Sequence, residues 1–179
     1  MRAARLLKAP YNLAISVFHG STEIRVQHVI FAMFLFATSY VFARLEIEIE
    51  GPDGWAAKLP TWRICNKWTN LFYGGRPLTG YHLWVQVFVL LLVHCPFALG
   101  FVPWNWSGEL RVIGYLILFF LVEDFLWFVL NPAYGLKKFR AQHIWWHAPH
   151  WWWIMPRDYW VFGVIGVGAY ALGAWYLHH

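Results

Sequence analysis

Four long apolar runs set the pattern of this chain, over residues 26–43, 83–102, 112–130 and 159–177. Each holds about 18–20 residues, the length that crosses roughly 30 Å of hydrocarbon as a helix. Polar and turn-forming residues gather between them into two long connections and one short one. The pattern predicts an all-α integral membrane protein. Its four transmembrane helices would form a compact bundle and a single domain over residues 1–179, with an interfacial N-terminal segment and aromatic-rich loops.

The segments between the runs refine this picture. Residues 1–25 carry Arg2, Arg5 and Lys8 ahead of a short apolar stretch. No small-residue cleavage site follows, so an interfacial helix is expected here rather than a cleaved signal peptide, with Ser21 or Thr22 capping the next helix. Residues 45–81 form the first long connection. Glu46, Glu48 and Glu50 alternate with apolar residues there, which predicts a short extended piece. Pro52, Gly54, Pro60, Gly74, Gly75, Pro77 and Gly80 then predict turns, and Trp55, Trp62 and Trp68 an interfacial position. Ser107 is the expected N-cap of the third span, and Asn131-Pro132 its stop. Gly163, Gly166, Gly168 and Gly173 in the fourth span are spaced to let helices approach closely in lipid.

Composition strengthens the membrane reading. The chain is 60% hydrophobic, 21% aromatic and only 13% charged, against about 25% charged residues in soluble domains. The formal charge of +5 fits basic loops against anionic headgroups. No basic patch stands clear of the apolar runs, so nucleic acid is not an expected partner. Cys65 and Cys95 make no disulfide framework. With both termini on one side, nine Lys or Arg residues fall in the two long connections and five on the terminal side. This predicts a bacterial-type inner-membrane protein with its long loops cytoplasmic.

The densest chemistry lies in Gln142-His143-Ile144-Trp145-Trp146-His147-Ala148-Pro149-His150 and the three tryptophans that follow. On a helix, His143 and His147 would share a face, with His150 one turn on. Imidazoles so placed chelate zinc or iron, which makes a divalent metal the expected cofactor. Pro149 works against a continuous helix. The competing explanation is an aromatic belt with histidines at headgroup level. His82 opens the second span on the same side and is a candidate fourth ligand. His178 and His179 are set aside as indistinguishable from a purification tag.

Glu123 and Asp124 lie in the third span, roughly 10–12 Å below its boundary. A carboxylate at that depth is costly unless it faces the protein interior with a partner, so both are candidate catalytic residues. Asp124 and Asn131 share a helical face, and Asn131 is a candidate substrate contact. Pro60-Thr61-Trp62-Arg63 is placed to cover the site, Trp62 by its ring and Arg63 by binding a lipid phosphate. His28 and His94 raise axial ligation of a b-type haem, but their depths differ by about 8 Å.

The His143-x-x-x-His147 spacing resembles one histidine box of the membrane fatty-acid hydroxylases and desaturases. The doubled box of that pattern is missing, and no family follows from the resemblance. The sequence thus predicts a membrane metalloenzyme acting on a lipid or another hydrophobic small molecule. Iron would suit oxidation and zinc hydrolysis. The alternative is a small non-catalytic membrane subunit or a lipid- or cofactor-binding module.

Overall fold

A computed structural model describes the backbone of residues 3–73 and 75–178, and the side chains of residues 25–69, 73 and 75–177. Arg2, Gly74 and His179, and the side chains of Arg5, Lys8 and His178, lie outside the described residues. The chain is 69% helical. Its elements are α1 (Ala3–Glu50), β1 (Arg63–Ile64), α2 (Lys67–Phe72), β2 (Leu78–Thr79), α3 (Gly80–Ala98) and α4 (Trp106–Leu130). Three 3-10 turns follow, at Leu136–Lys138, Ala141–His143 and Ala148–His150, then β3 (Trp151–Trp152), β4 (Met155–Pro156) and α5 (Arg157–His178). Four helical stretches are long and apolar enough to cross a membrane, at Arg25–Glu50, Gly80–Ala98, Trp106–Leu130 and Arg157–Leu177.

The chain divides into two compact units, Met1–Ala37 and Thr38–His179. The first unit is the N-terminal part of α1. Helix α1 runs unbroken through the point where an interfacial helix was expected to give way to a first span, so Ser21 and Thr22 lie inside a helix and not at the start of one. A lone glycine such as Gly20 costs a helix only about 1 kcal/mol, and no proline interrupts the stretch from Tyr11 to Gly51.

The second unit holds the rest. Here α1 corrects the expected extended piece: Glu46, Glu48 and Glu50 are helical. Ser39, Ala43, Glu46, Ile47 and Glu50 recur at helical spacing and are all buried. Glu48 points away and pairs with Arg44 at 3.5 Å. A period-2 alternation over five residues is too short to outweigh this face. Gly51, at φ +70°, then ends the helix by donating its N–H to the Ile47 carbonyl at 2.9 Å.

Helices α4 and α5 approach closely. A Cβ at Gly114 would lie 2.6 Å from the Tyr170 nitrogen and 2.8 Å from the Gly166 carbonyl oxygen. One at Gly173 would lie 2.7 Å from the Ser107 carbonyl oxygen. Gly166 and Gly173 therefore serve the close approach expected of the fourth span, whereas a Cβ at Gly168 would meet open space. Helix α4 begins at Trp106 under Asn105, whose side chain accepts from Gly108 N at 2.8 Å. Ser107, the expected cap, instead donates its hydroxyl to the Gly173 carbonyl at 2.7 Å.

The hydrophobic core lies where α1 ends, α4 ends and the 144–151 segment returns. Ala43, Ile47, Leu126, Trp127, Phe128, Ile144 and Trp146 form it, ringed by Trp55, Tyr134 and Phe139 among others. Along α3 and α5 only 6% and 11% of the apolar window is buried, against 33% along α4. Phe88, Leu91, Val164 and Val167 are among the side chains left exposed. By length and apolarity these helices are able to cross a membrane.

Candidate functional site

The strained loop after α1 builds one wall of the site. Gly54, Trp55 and Ala56 all take positive φ, at +64°, +48° and +51°. For non-glycine residues this is held only by strong local contacts. The contacts are present: Ala56 N–H donates to Glu50 Oε1 at 2.5 Å, and Trp55 Nε1 donates to the Pro77 carbonyl at 2.9 Å. The Arg63 guanidinium donates to the carbonyls of Ala56, Thr61 (2.9 Å), Ala57 (3.2 Å) and Leu59 (3.3 Å). Any Cβ at Gly54 would run into the Trp146 ring at 2.5 Å, so the turn needs glycine for space as well as for φ.

The short β1–β2 pair sets the start of α3. Thr79 caps it, accepting from His82 N at 3.2 Å. The Thr79 hydroxyl also lies 2.7 Å from His82 Nδ1, and His82 Nε2 is 3.5 Å from Glu50 Oε1. The ring stacks on Trp55 with centroids 4.2 Å apart. Glu50, His82 and Thr79 thus form a continuous polar chain.

A second pair faces it from α4. His147 Nε2 lies 3.2 Å from Asp124 Oδ2, and the Tyr159 hydroxyl donates to the same oxygen in a short hydrogen bond. His147 is 5% exposed and edges against Phe128. Glu123, one residue before Asp124, turns toward α1 and meets the Glu46 side chain, which also accepts from the Tyr81 hydroxyl at 3.1 Å. Among the described residues Glu123 Oε1 and, one turn on, Trp127 Nε1 are buried with no partner.

Arg76 closes the site between α2 and α3. It lies 4.3 Å over the Trp55 ring, donates Nε–H to the Tyr73 carbonyl at 2.7 Å and reaches Asp158 Oδ2 at 3.4 Å. Burial pulls the guanidinium below its ordinary pKa while Asp124 and Asp158 oppose that shift. A guanidinium nonetheless stays charged throughout the working range of a protein.

These side chains line one cavity of about 590 Å3. Its polar end carries five carboxyls (Glu46, Glu50, Glu123, Asp124 and Asp158) beside Arg76, His82 and His147. Its other wall is Val85, Ile117, Phe120, Leu121 and Phe162. That division suits an amphipathic molecule, head among the acids and tail along the helices.

Of the candidate catalytic, metal and substrate residues named from the sequence, Glu123, Asp124, His82 and His147 meet at this cavity, whereas His143, His150, Asn131, Trp62 and Arg63 do not line it. The expected helix through His143 and His147 does not form. A 3-10 turn ends at His143, another begins after His147, and Pro149 is the second residue of the latter. His143 is exposed beside Gln142, and His150 ends the second turn. Among the described residues no group of three or more His, Cys, Asp or Glu side chains is placed to hold a metal ion. Trp62 lines a separate apolar groove with Phe42, Leu45 and Trp84. His94 has both ring nitrogens engaged, with the Leu90 carbonyl at 2.7 Å and Glu109 at 3.2 Å.

Asn131 ties the end of α4 to the end of α1. It donates to the Gly51 carbonyl at 3.0 Å and accepts from Ala133 N at 3.0 Å, and it is 2% exposed. Asn131→Ala strips partners from two backbone groups, so thermal unfolding in detergent should show a loss of about 2–3 kcal/mol. An unchanged melting temperature would refute this bracing role.

Sequence reasoning missed Glu46, Glu50, Arg76 and Tyr159. The signal for the first two was present in their spacing of four, which continues the helical face of Ser39 and Ala43. Arg76 and Tyr159 carried no local signal. Searched against protein-family models, curated proteins and solved structures, the chain finds no match.

Proposed function

We propose that this chain is an integral membrane enzyme that performs acid–base chemistry on a hydrophobic or lipid-like substrate held in the 590 Å3 cavity. The observation that carries the reading is the convergence of two carboxylate–histidine pairs at the polar end of an otherwise apolar chamber. In the first pair Asp124 accepts from His147 Nε2, which leaves Nδ1 as the basic nitrogen. No hydrogen bond from Nδ1 is found among the described residues. The carboxylate orients the ring and stabilises the imidazolium formed when Nδ1 takes a proton. Tyr159 fixes the carboxylate in turn. In the second pair Thr79 engages His82 Nδ1 and Glu50 lies 3.5 Å from Nε2, so His82 is held in place and the proton from substrate is assigned to His147.

The metal-dependent form of this reading required His143 and His147 on one helical face. The 3-10 turns remove that support and leave the acid–base part. In this proposal the four apolar helices span the bilayer. The loops around the site, with most of the Lys and Arg, lie at the cytoplasmic face.

The test compares hydrophobic metabolites in membranes of cells making the wild type or His147→Gln at matched levels. A positioned general base contributes about 10²–10⁴-fold. At least one lipid-soluble species should therefore change with the wild type and stay at the empty-vector level with the variant. Identical profiles in all three membranes would overturn the enzyme reading.

A further inference from the structure

The polar end of the cavity is unbalanced. Asp158 is answered by Arg76 at 3.4 Å and by Arg157 at 3.0 Å. Asp124 has His147 and Tyr159. Glu50 has the Ala56 N–H and His82. Glu123 has none of these. It is 5% exposed, its side-chain partner is another acid, and its Oε1 has no hydrogen-bond donor among the described residues. A buried, unsatisfied carboxyl oxygen is rare and points to a missing partner. The terminal torsion of glutamate is soft, so a donor entering the cavity can draw Oε1 onto itself.

From this we infer that the cavity binds a single-chain amphiphile with a protonated primary amine as its head, and that Glu123 is the acceptor for that amine. A primary ammonium supplies what Glu123 lacks, an N–H donor for Oε1 and a positive charge beside a carboxyl that Arg76 does not answer. An alcohol supplies the donor without the charge. A fatty acid brings a further carboxylate to a site that already holds five. The tail lies against Ile117, Leu121 and Phe162. The inference rests on the proposal that this cavity is the substrate chamber, and it adds the chemical class of the substrate.

The experiment measures binding alone, with full-length protein in a neutral detergent. Dodecylamine, dodecanol and dodecanoate are titrated separately while tryptophan fluorescence is followed, since Trp55, Trp127 and Trp146 line the cavity. Dodecylamine should bind at least about tenfold tighter than dodecanol, with dodecanoate weaker still. Glu123→Gln should bring the amine and the alcohol to parity. Wild-type protein that binds dodecanol or dodecanoate as tightly as dodecylamine overturns the inference, whether or not the variant folds. So does a folded Glu123→Gln protein that keeps the preference for the amine. Tight amine binding together with unchanged membrane metabolites would instead sink the enzyme reading and leave the amine site standing.

Discussion

Gly114→Leu is expected to unfold the α4–α5 pair, with a loss of about 3 kcal/mol or more. A Cβ at this position would already lie 2.6 Å from the Tyr170 backbone nitrogen and 2.8 Å from the Gly166 carbonyl oxygen. Backbone cannot rotate aside as a side chain can, so the helices must separate. Overpacking of a well-packed interface costs about 1–3 kcal/mol when side chains can adjust, and here they cannot. Separation also strips the Ser107–Gly173 hydrogen bond at 2.7 Å from the other end of the same seam. It would further displace Tyr159, at the start of α5, from Asp124 on α4. Gly168→Ala is the matched control, because its new methyl group meets open space. Thermal unfolding in detergent should show Gly114→Leu strongly destabilised and Gly168→Ala at or slightly above wild type. Equal melting temperatures for the two variants would mean that α4 and α5 are not held by this approach.

The contrast between these glycines shows what the sequence could and could not convey. Long apolar runs specify helices directly, because length and hydropathy suffice; three of the four runs lie within helices of the structure, and the second, 83–102, outruns its helix, which ends at Ala98. Glycine spacing marked α5 as a packing helix but did not say which glycines face α4, since Gly166 and Gly168 look alike in the chain. Helix ends were less legible. The first was placed at residue 43 because three glutamates follow, yet Glu46 and Glu50 are on its buried face and only Glu48 points out. Acids near an apolar run suggest a loop only when no cavity waits to receive them, and a cavity is a tertiary fact. The histidine segment failed in the opposite way. Its i, i+4 spacing carried helical meaning only if the backbone were helical, and Pro149 signalled otherwise. What remained legible was chemistry of high cost. Asp124 and Glu123 deep in an apolar run demanded partners, and the structure supplies His147 and Tyr159 to the first. Arg76 and Tyr159 could not be found beforehand, because contacts of Arg76 with Asp158 and of Tyr159 with Asp124 span 82 and 35 residues.

Asp124→Asn is expected to lower the rate of the proton transfer His147 performs by about 10²–10³-fold. Both hydrogen bonds to Asp124 end on one oxygen, Oδ2. The amide can therefore keep its oxygen on Tyr159 and His147 and place its nitrogen where Oδ1 stood. Geometry survives and the negative charge does not. Without that charge the imidazolium formed on proton uptake loses its nearest counter-ion at 3.2 Å, and the barrier rises with it. A bracing carboxylate predicts something else: stability would fall with the charge, and any activity would fall only in proportion to folded protein. Three readouts on one preparation separate these outcomes. Melting temperature in detergent should stay close to wild type. The metabolite change produced by wild-type protein should vanish. The 15N spectrum of histidine-labelled protein should show the His147 ring signals displaced from wild type, because the group bonded to Nε2 has changed from a carboxylate to an amide. An Asp124→Asn protein that is stable, unchanged in the histidine spectrum and fully active would remove Asp124 from the site. Loss of stability without a change in activity per folded molecule would make it a bracing residue.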